Sequence, residues 1–325
     1  MNRILFAIAL LLASPAVADT VTLTGSDDGA GRIMVDGQVV DYTGSKLTIK
    51  SVAGSERSFP ASRVVKIDTK WPDGWHDALT AIDAQKYREA VDLLAKAART
   101  DNRPWVRRLA MQHLMHCYAA TGDYMTAGRL LVELARSDIA TPALAEAPLA
   151  WYADDSIPAA ATNEWLDNTE VPIAQLLGAS YALATAERGR AEQAIDKLLK
   201  SPDPSIAWLA EMQSWRPQIV TAKADDVARW ETRVRQAPES LQAGGWLVLG
   251  DARRQLKQYD PAALAYLRAS MLAKPQPQLA AHSLWRASEV LRLAGQVEEA
   301  TKLARQVVDE YPQTAPAREA QGVLH

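Results

Sequence analysis

Two spacings of apolar residues divide the chain. From Asp19 to Lys70 the apolar residues come in short runs broken by glycine and serine. Ile33-Met34-Val35, Val39-Val40-Asp41-Tyr42, Leu47-Thr48-Ile49 and Val64-Val65-Lys66-Ile67 read as strands, and Val21 to Thr24 adds a further one. Asp36-Gly37, Thr43-Gly44 and Ala53-Gly54-Ser55 are turn signals, with Asp-Gly the strongest for a tight hairpin. Residues 19–70 are therefore expected to form a small antiparallel barrel or sheet. Pro72 and Gly74, within Thr69 to Trp75, punctuate the change to a different spacing.

Beyond that junction the apolar positions recur every three or four residues, as on one face of an α-helix. Trp246, Leu249 and Gly250 share one helical face; Tyr259, Ala262, Tyr266 and Ala269 share another, with Lys257-Gln258 between them as a turn. The same arrangement returns along the chain. Ala90, Ala127, Ala161, Ala194, Ala228, Ala262 and Ala300 are separated by 37, 34, 33, 34, 34 and 38 residues. Tyr-x-x-Ala occurs at Tyr87, Tyr124 and Tyr259, and a turn glycine precedes the alanine by five residues at Gly122, Gly189 and Gly295. Four residues after it stand Leu94, Leu131, Trp165, Leu198, Thr232, Tyr266 and Ala304. Columns that agree at one period indicate an array of helical hairpins.

The Trp, Leu-Gly, Tyr, Ala, aromatic, Ala order resembles the tetratricopeptide repeat (TPR), over roughly Trp75 to Pro312. That resemblance implies a mainly α fold. It consists of a TPR-like α-solenoid of about seven helical hairpins over residues 71–313, with residues 314–325 as a C-terminal capping helix. Small alanines would let paired helices approach closely, and each hairpin would bury a second face on its neighbour. Two units depart from the pattern. The one around Ala161 carries Pro142, Pro148, Pro158 and Pro172, with an "ADDS" turn at 153–156. The one around Ala228 has Pro217, which should end its first helix near Arg216, and polar Thr232 and Arg235 at usually apolar columns. The strand rhythm before the array resembles SH3-like or Sm-like barrels in pattern.

The N-terminus places Arg3 before an apolar run from Ile4 to Ala13 and an Ala16-Val17-Ala18 site. Residues 1–18 are expected to be a signal peptide and the chain to be periplasmic or secreted. The run is about half of the roughly 20 residues that span a bilayer. Without those residues 35 basic side chains face 39 acidic ones, a net charge of −4. Residues 19–70 balance at seven and seven, so no nucleic-acid partner is expected. Cys117 is the single cysteine, which rules out an intrachain disulfide.

Chemistry is sparse in what remains. His113, His116 and Cys117 lie at helical spacing, but the packing reading, an inert buried thiol beside two ordinary histidines, outweighs a metal site. Motifs for zinc hydrolases, nucleophile elbows, phosphate loops and dinucleotide binding do not occur. The acidic pairs Asp154-Asp155 and Asp225-Asp226 suit helix starts. No catalytic residue, metal or cofactor is assigned.

In the TPR family the first helices line a concave groove. By that resemblance the groove here would present Leu247, Asp251, Arg254 and Gln255 from one unit, and His282, Trp285, Glu289, Arg292 and Leu293 from the next. Asp251/Arg254 and Glu289/Arg292 repeat an acid-then-arginine spacing that also suits intrahelical ion pairs. An arginine pair beside an exposed Trp285 would anchor a peptide. The Lys/Asn carboxylate clamp of some TPR groups is absent, with Trp75 and Leu79 in the corresponding places. The expectation is a non-enzymatic periplasmic scaffold that binds an envelope protein or peptide. The alternative is an accessory subunit of an envelope enzyme, or a hydrolase with an unrecognised site.

Overall fold

The computed structural model describes residues 19–25, 31–153 and 156–324, so the signal-peptide pattern at 1–18 and the pair Asp154-Asp155 lie outside the described residues. The chain forms two compact units. One contains the residues up to Asp73 together with Arg103–Trp105; the other contains Gly74–Asn102 and the residues from Val106 onward.

The first unit is a five-stranded antiparallel sheet: β1 (Asp19–Thr24), β2 (Arg32–Tyr42), β3 (Lys46–Lys50), β4 (Glu56–Pro60) and β5 (Val64–Asp68), in the order β4-β3-β2-β1-β5. Alternation puts Val21, Leu23, Val39, Leu47, Ile49, Phe59 and Ile67 on the buried side. Trp105 joins them, fully buried, and its indole N–H donates to the Val39 carbonyl at 3.2 Å. Asp36-Gly37 is not a turn. β2 runs straight through it, pairing with β1 up to Gly37 and with β3 from Gln38 onward. A Cβ at Gly37 would lie 2.6 Å from the Lys50 carbonyl oxygen, so the glycine serves a close strand crossing instead of a hairpin. Thr43-Gly44 and Ala53-Gly54-Ser55 do lie in the β2–β3 and β3–β4 connections. β4 carries no apolar alternation in its sequence, because only Phe59 in it is buried.

The second unit is helical: α1 (Trp75–Asp83), α2 (Tyr87–Thr100), α3 (Pro104–Ala120), α4 (Tyr124–Ser137), α5 (Ala159–Asp167), α6 (Pro172–Ala182), α7 (Arg188–Leu198), α8 (Pro204–Trp215), α9 (Ala224–Gln236), α10 (Gln242–Gln255), α11 (Tyr259–Leu272), α12 (Pro277–Leu293), α13 (Val297–Glu310) and α14 (Ala315–Leu324). The first two residues of α3, Pro104 and Trp105, belong to the sheet unit. The chain is thus mainly α, preceded by a small antiparallel sheet. The spaced alanines all fall on second helices: α2, α4, α5, α7, α9, α11 and α13. Six of the seven are buried between helices.

Four of the turns share one backbone geometry. Gln85, Gly122, Lys257 and Gly295, each five residues before the alanine, have φ of 57°, 84°, 58° and 82°. In each, that residue's N–H reaches the carbonyl three back and the next N–H reaches the carbonyl five back, as at Lys257→Arg254 and Gln258→Arg253. This pattern closes a helix C-terminus by satisfying its last carbonyls.

Two units differ from the expected arrangement. Ala228 is exposed, and Val227, Trp230 and Val234 carry the buried face of α9, one residue out of the expected register. Thr232 is exposed for the same reason. α8 does end at Trp215, with a 3-10 turn over Arg216–Gln218 in which proline is tolerated. The unit around Ala161 keeps only its second helix, α5. Where a first helix would stand, the chain makes a 3-10 turn over Pro142–Glu146 and then runs without helix or strand through Tyr152. Pro148 and Pro158 withhold two amide donors there. This irregular stretch is still interior: Ala147 to Trp151 are all buried.

Candidate functional site

The irregular stretch lies along the first helices, and side chains hold it by its backbone. The Tyr181 hydroxyl on α6 donates to the Pro148 carbonyl at 2.9 Å. The Ala150 N–H donates to Ser180 Oγ at 3.0 Å, and the Ala150 carbonyl accepts from Gln213 Nε2 on α8 at 3.0 Å. Arg216, just past α8, donates to the carbonyls of Ala150, Ser180 and Tyr152. Gln276, at the start of α12, donates to the Ala145 carbonyl at 3.3 Å. Two aromatic side chains complete the contact. The Trp151 indole covers Gly244 on α10, where a Cβ would lie 2.0 Å from its ring. Tyr152 stacks on His282 of α12, with centroids 3.8 Å apart and planes 12° from parallel.

Buried backbone groups outside secondary structure must find partners, which makes these side-chain donors necessary. Burial lowers the Arg216 guanidinium to about 10, with Asp251 acting in the opposite sense. Burial, reinforced by Arg286, lowers the His282 imidazole to about 3, so it is neutral at pH 7.

A polar network lies beside this strap. The Tyr266 hydroxyl donates to Asp251 Oδ1 at 2.7 Å. Arg286 Nη2 approaches the same oxygen at 3.4 Å, and its Nη1 donates to Glu289 Oε2 at 2.7 Å. Burial, then the neighbouring Asp251 carboxylate, raises the Tyr266 phenol above its usual range. The hydroxyl is thus a fixed donor to Asp251 and not a proton source.

The residues singled out from sequence separate accordingly. Asp251, His282 and Glu289 surround Arg286. Gln255 and Arg292 are exposed. Trp285 is not exposed but buried at 6 %, with the Arg292 guanidinium 5.9 Å from its ring centroid. Leu247 is fully buried and unavailable to a partner. Neither Asp251/Arg254 nor Glu289/Arg292 pairs among the described residues: both acids turn to Arg286, Asp251 from another helix and Glu289 from one turn along the same helix. Arg216, Arg286, Tyr152 and Tyr266 were missed as site residues. Arg286 follows His282 by four residues on the same helical face, and it precedes its acid Glu289 by three, the reverse of the acid-then-arginine order.

His113, His116 and Cys117 do not converge. His113 packs edge-on against Trp75 at 5.7 Å, while His116 Nδ1 lies 2.7 Å from Glu146 Oε2. Cys117 is fully buried, and burial followed by Glu146 raises its thiol to about 12, which leaves it protonated and unreactive. Among the described residues no group of three His, Cys, Asp or Glu could hold a metal ion, and no helix is long and apolar enough to cross a membrane. A scan against protein-family models finds no match, and neither does a search of curated proteins.

Proposed function

We propose that this chain is a non-enzymatic scaffold of TPR type that binds a protein or peptide partner of the bacterial envelope through the inner face of its first helices. The signal-peptide pattern at 1–18 supports a periplasmic or secreted location. The observation that carries the binding role is the set of side chains on α6, on α8 and in the turn after α8 that hold an irregular segment by its backbone, with His282 of α12 stacked on its Tyr152 ring. Recognition through main-chain groups is how a polypeptide ligand is gripped without a demanding sequence requirement.

A photo-crosslinking residue at Gln255, on the exposed end of α10, tests this against one at Lys302 on the second helix of the next pair. With envelope extract, a discrete adduct is expected from position 255 and none from 302. Equal background from both positions after saturating exposure would count against the scaffold reading.

A further inference from the structure

The inner face is already occupied, and what occupies it has the chemistry of a ligand. Ala147–Tyr152, "APLAWY", belongs to no helix or strand. Its carbonyls at Pro148, Ala150 and Tyr152 and its amide at Ala150 are taken by side chains from α6, α8 and the turn after α8. None of those partners reads the identity of Pro, Leu or Ala; they read backbone. Identity enters through packing: Leu149 is buried with the apolar core, and the two aromatic residues have seats of their own. Gly244 gives Trp151 a seat that any larger residue would fill, with the three atoms nearest a built Cβ all belonging to the indole. His282 gives Tyr152 a flat, uncharged ring to lie on.

The seat is also incompletely filled. A cavity of about 30 Å³ remains beside Pro148–Tyr152, bounded also by Ala119, Tyr124, Tyr181 and Leu279. That is enough to admit a water molecule. Removing the segment from its seat would break no helical ladder, because the helices hold their own backbone bonds.

We propose that Ala147–Tyr152 is an internal stand-in for the partner: the inner face takes an extended, apolar peptide with adjacent aromatic residues, and such a peptide competes with this segment for the same seat. This rests on the scaffold reading above and adds to it the class of partner and a built-in competitor. A partner must then displace the segment, so affinity for a short peptide is set by the segment's own opening equilibrium.

The test uses the full chain and a fluorescein-labelled synthetic peptide APLAWY, followed by anisotropy. Trp151→Ala empties the indole's seat and is expected to bind the peptide at least ten-fold more tightly than the unsubstituted chain. Trp151→Ala with Gly244→Ala refills the seat with a methyl group and is expected to lose that gain, as is APLAAY offered to Trp151→Ala. Equal affinity across the three proteins, or no binding by a folded Trp151→Ala chain, overturns the proposal. If Trp151→Ala fails to fold, amide exchange on the unsubstituted chain decides. The Ala150 amide is expected to exchange at least ten-fold faster than amides in the middle of α6 and α10. Exchange only with unfolding of the helical unit would show an inseparable core element and end the proposal. An adduct at Gln255 without peptide binding leaves the scaffold reading standing and this one fallen; neither adduct nor peptide binding overturns both.

Discussion

Trp246 shows how a single side chain commits several elements at once. Its ring is buried at 2 %, its indole N–H donates to Gln242 Oε1, and the guanidinium groups of Arg235 and Arg268 stand 5.0 and 4.7 Å from its centroid. Trp246→Ala is expected to destabilise by about 3–5 kcal/mol, as large aromatic truncations in cores do, read from chemical denaturation. A loss under about 1 kcal/mol would contradict that packing. His282 makes a different prediction. Folded, its imidazole stays neutral down to about 3, whereas an unfolded histidine takes up a proton near 6.5. The unfolded state therefore binds more protons below 6.5, and stability from this group is complete above that pH and is lost as pH falls towards 3. His113, also lowered by burial, adds to the same slope. His282→Gln should flatten the fall in Tm between pH 7 and 5, and an unchanged slope would exclude the buried neutral ring. At this scale the sequence named Trp246, Asp251 and His282 but not Arg216 or Arg286. Arg216 acts on carbonyls up to 66 residues away and Arg286 on Asp251 35 residues away, which no local spacing records, although Glu289 lies one turn from Arg286.

Among elements, the hairpin turn is the most regular feature and the easiest to test. Glycine adopts the left-handed turn conformation without a Cβ penalty, whereas an L-residue such as Lys257, at φ 58°, carries a cost on the order of 1 kcal/mol. Lys257→Gly is expected to be neutral to stabilising by up to about 1 kcal/mol. Gly295→Ala, at φ 82°, should cost about 1–2 kcal/mol. If both changes were destabilising to the same extent, the shared turn geometry would be wrong. Hairpins were legible because Ala, Tyr and the turn residues Gly122 and Gly295 recur at one period, whereas Gly189, expected in the same turn, stands inside α7. α9 was misread by one residue because alanine is common and Ala228 fell on the beat, although Trp230 and Val234 carry the burial. β4 was illegible because only Phe59 in it is buried, and the Gly37 crossing because it depends on the partner strand.

At the scale of the whole molecule, the helical unit carries a buried non-helical strap where the repeat reading expects a first helix. Prolines at 142, 148, 158 and 172 signalled irregularity in that unit, but not that the irregular chain would stay buried. Burial of a loop requires partners for its backbone, and the helices that supply them lie up to 131 residues further along the chain. The placement of Trp151 over Gly244 carries this arrangement, and a double-mutant cycle measures it directly. With Trp151 present, Gly244→Ala is expected to destabilise by about 2 kcal/mol through overpacking. In a Trp151→Ala background the same change should become neutral or stabilising by up to about 1 kcal/mol, because alanine favours helix over glycine. The expected coupling is therefore about 2–3 kcal/mol. Additive effects, with Gly244→Ala costing the same in both backgrounds, would mean that the indole does not sit on α10 and that the strap is not seated there.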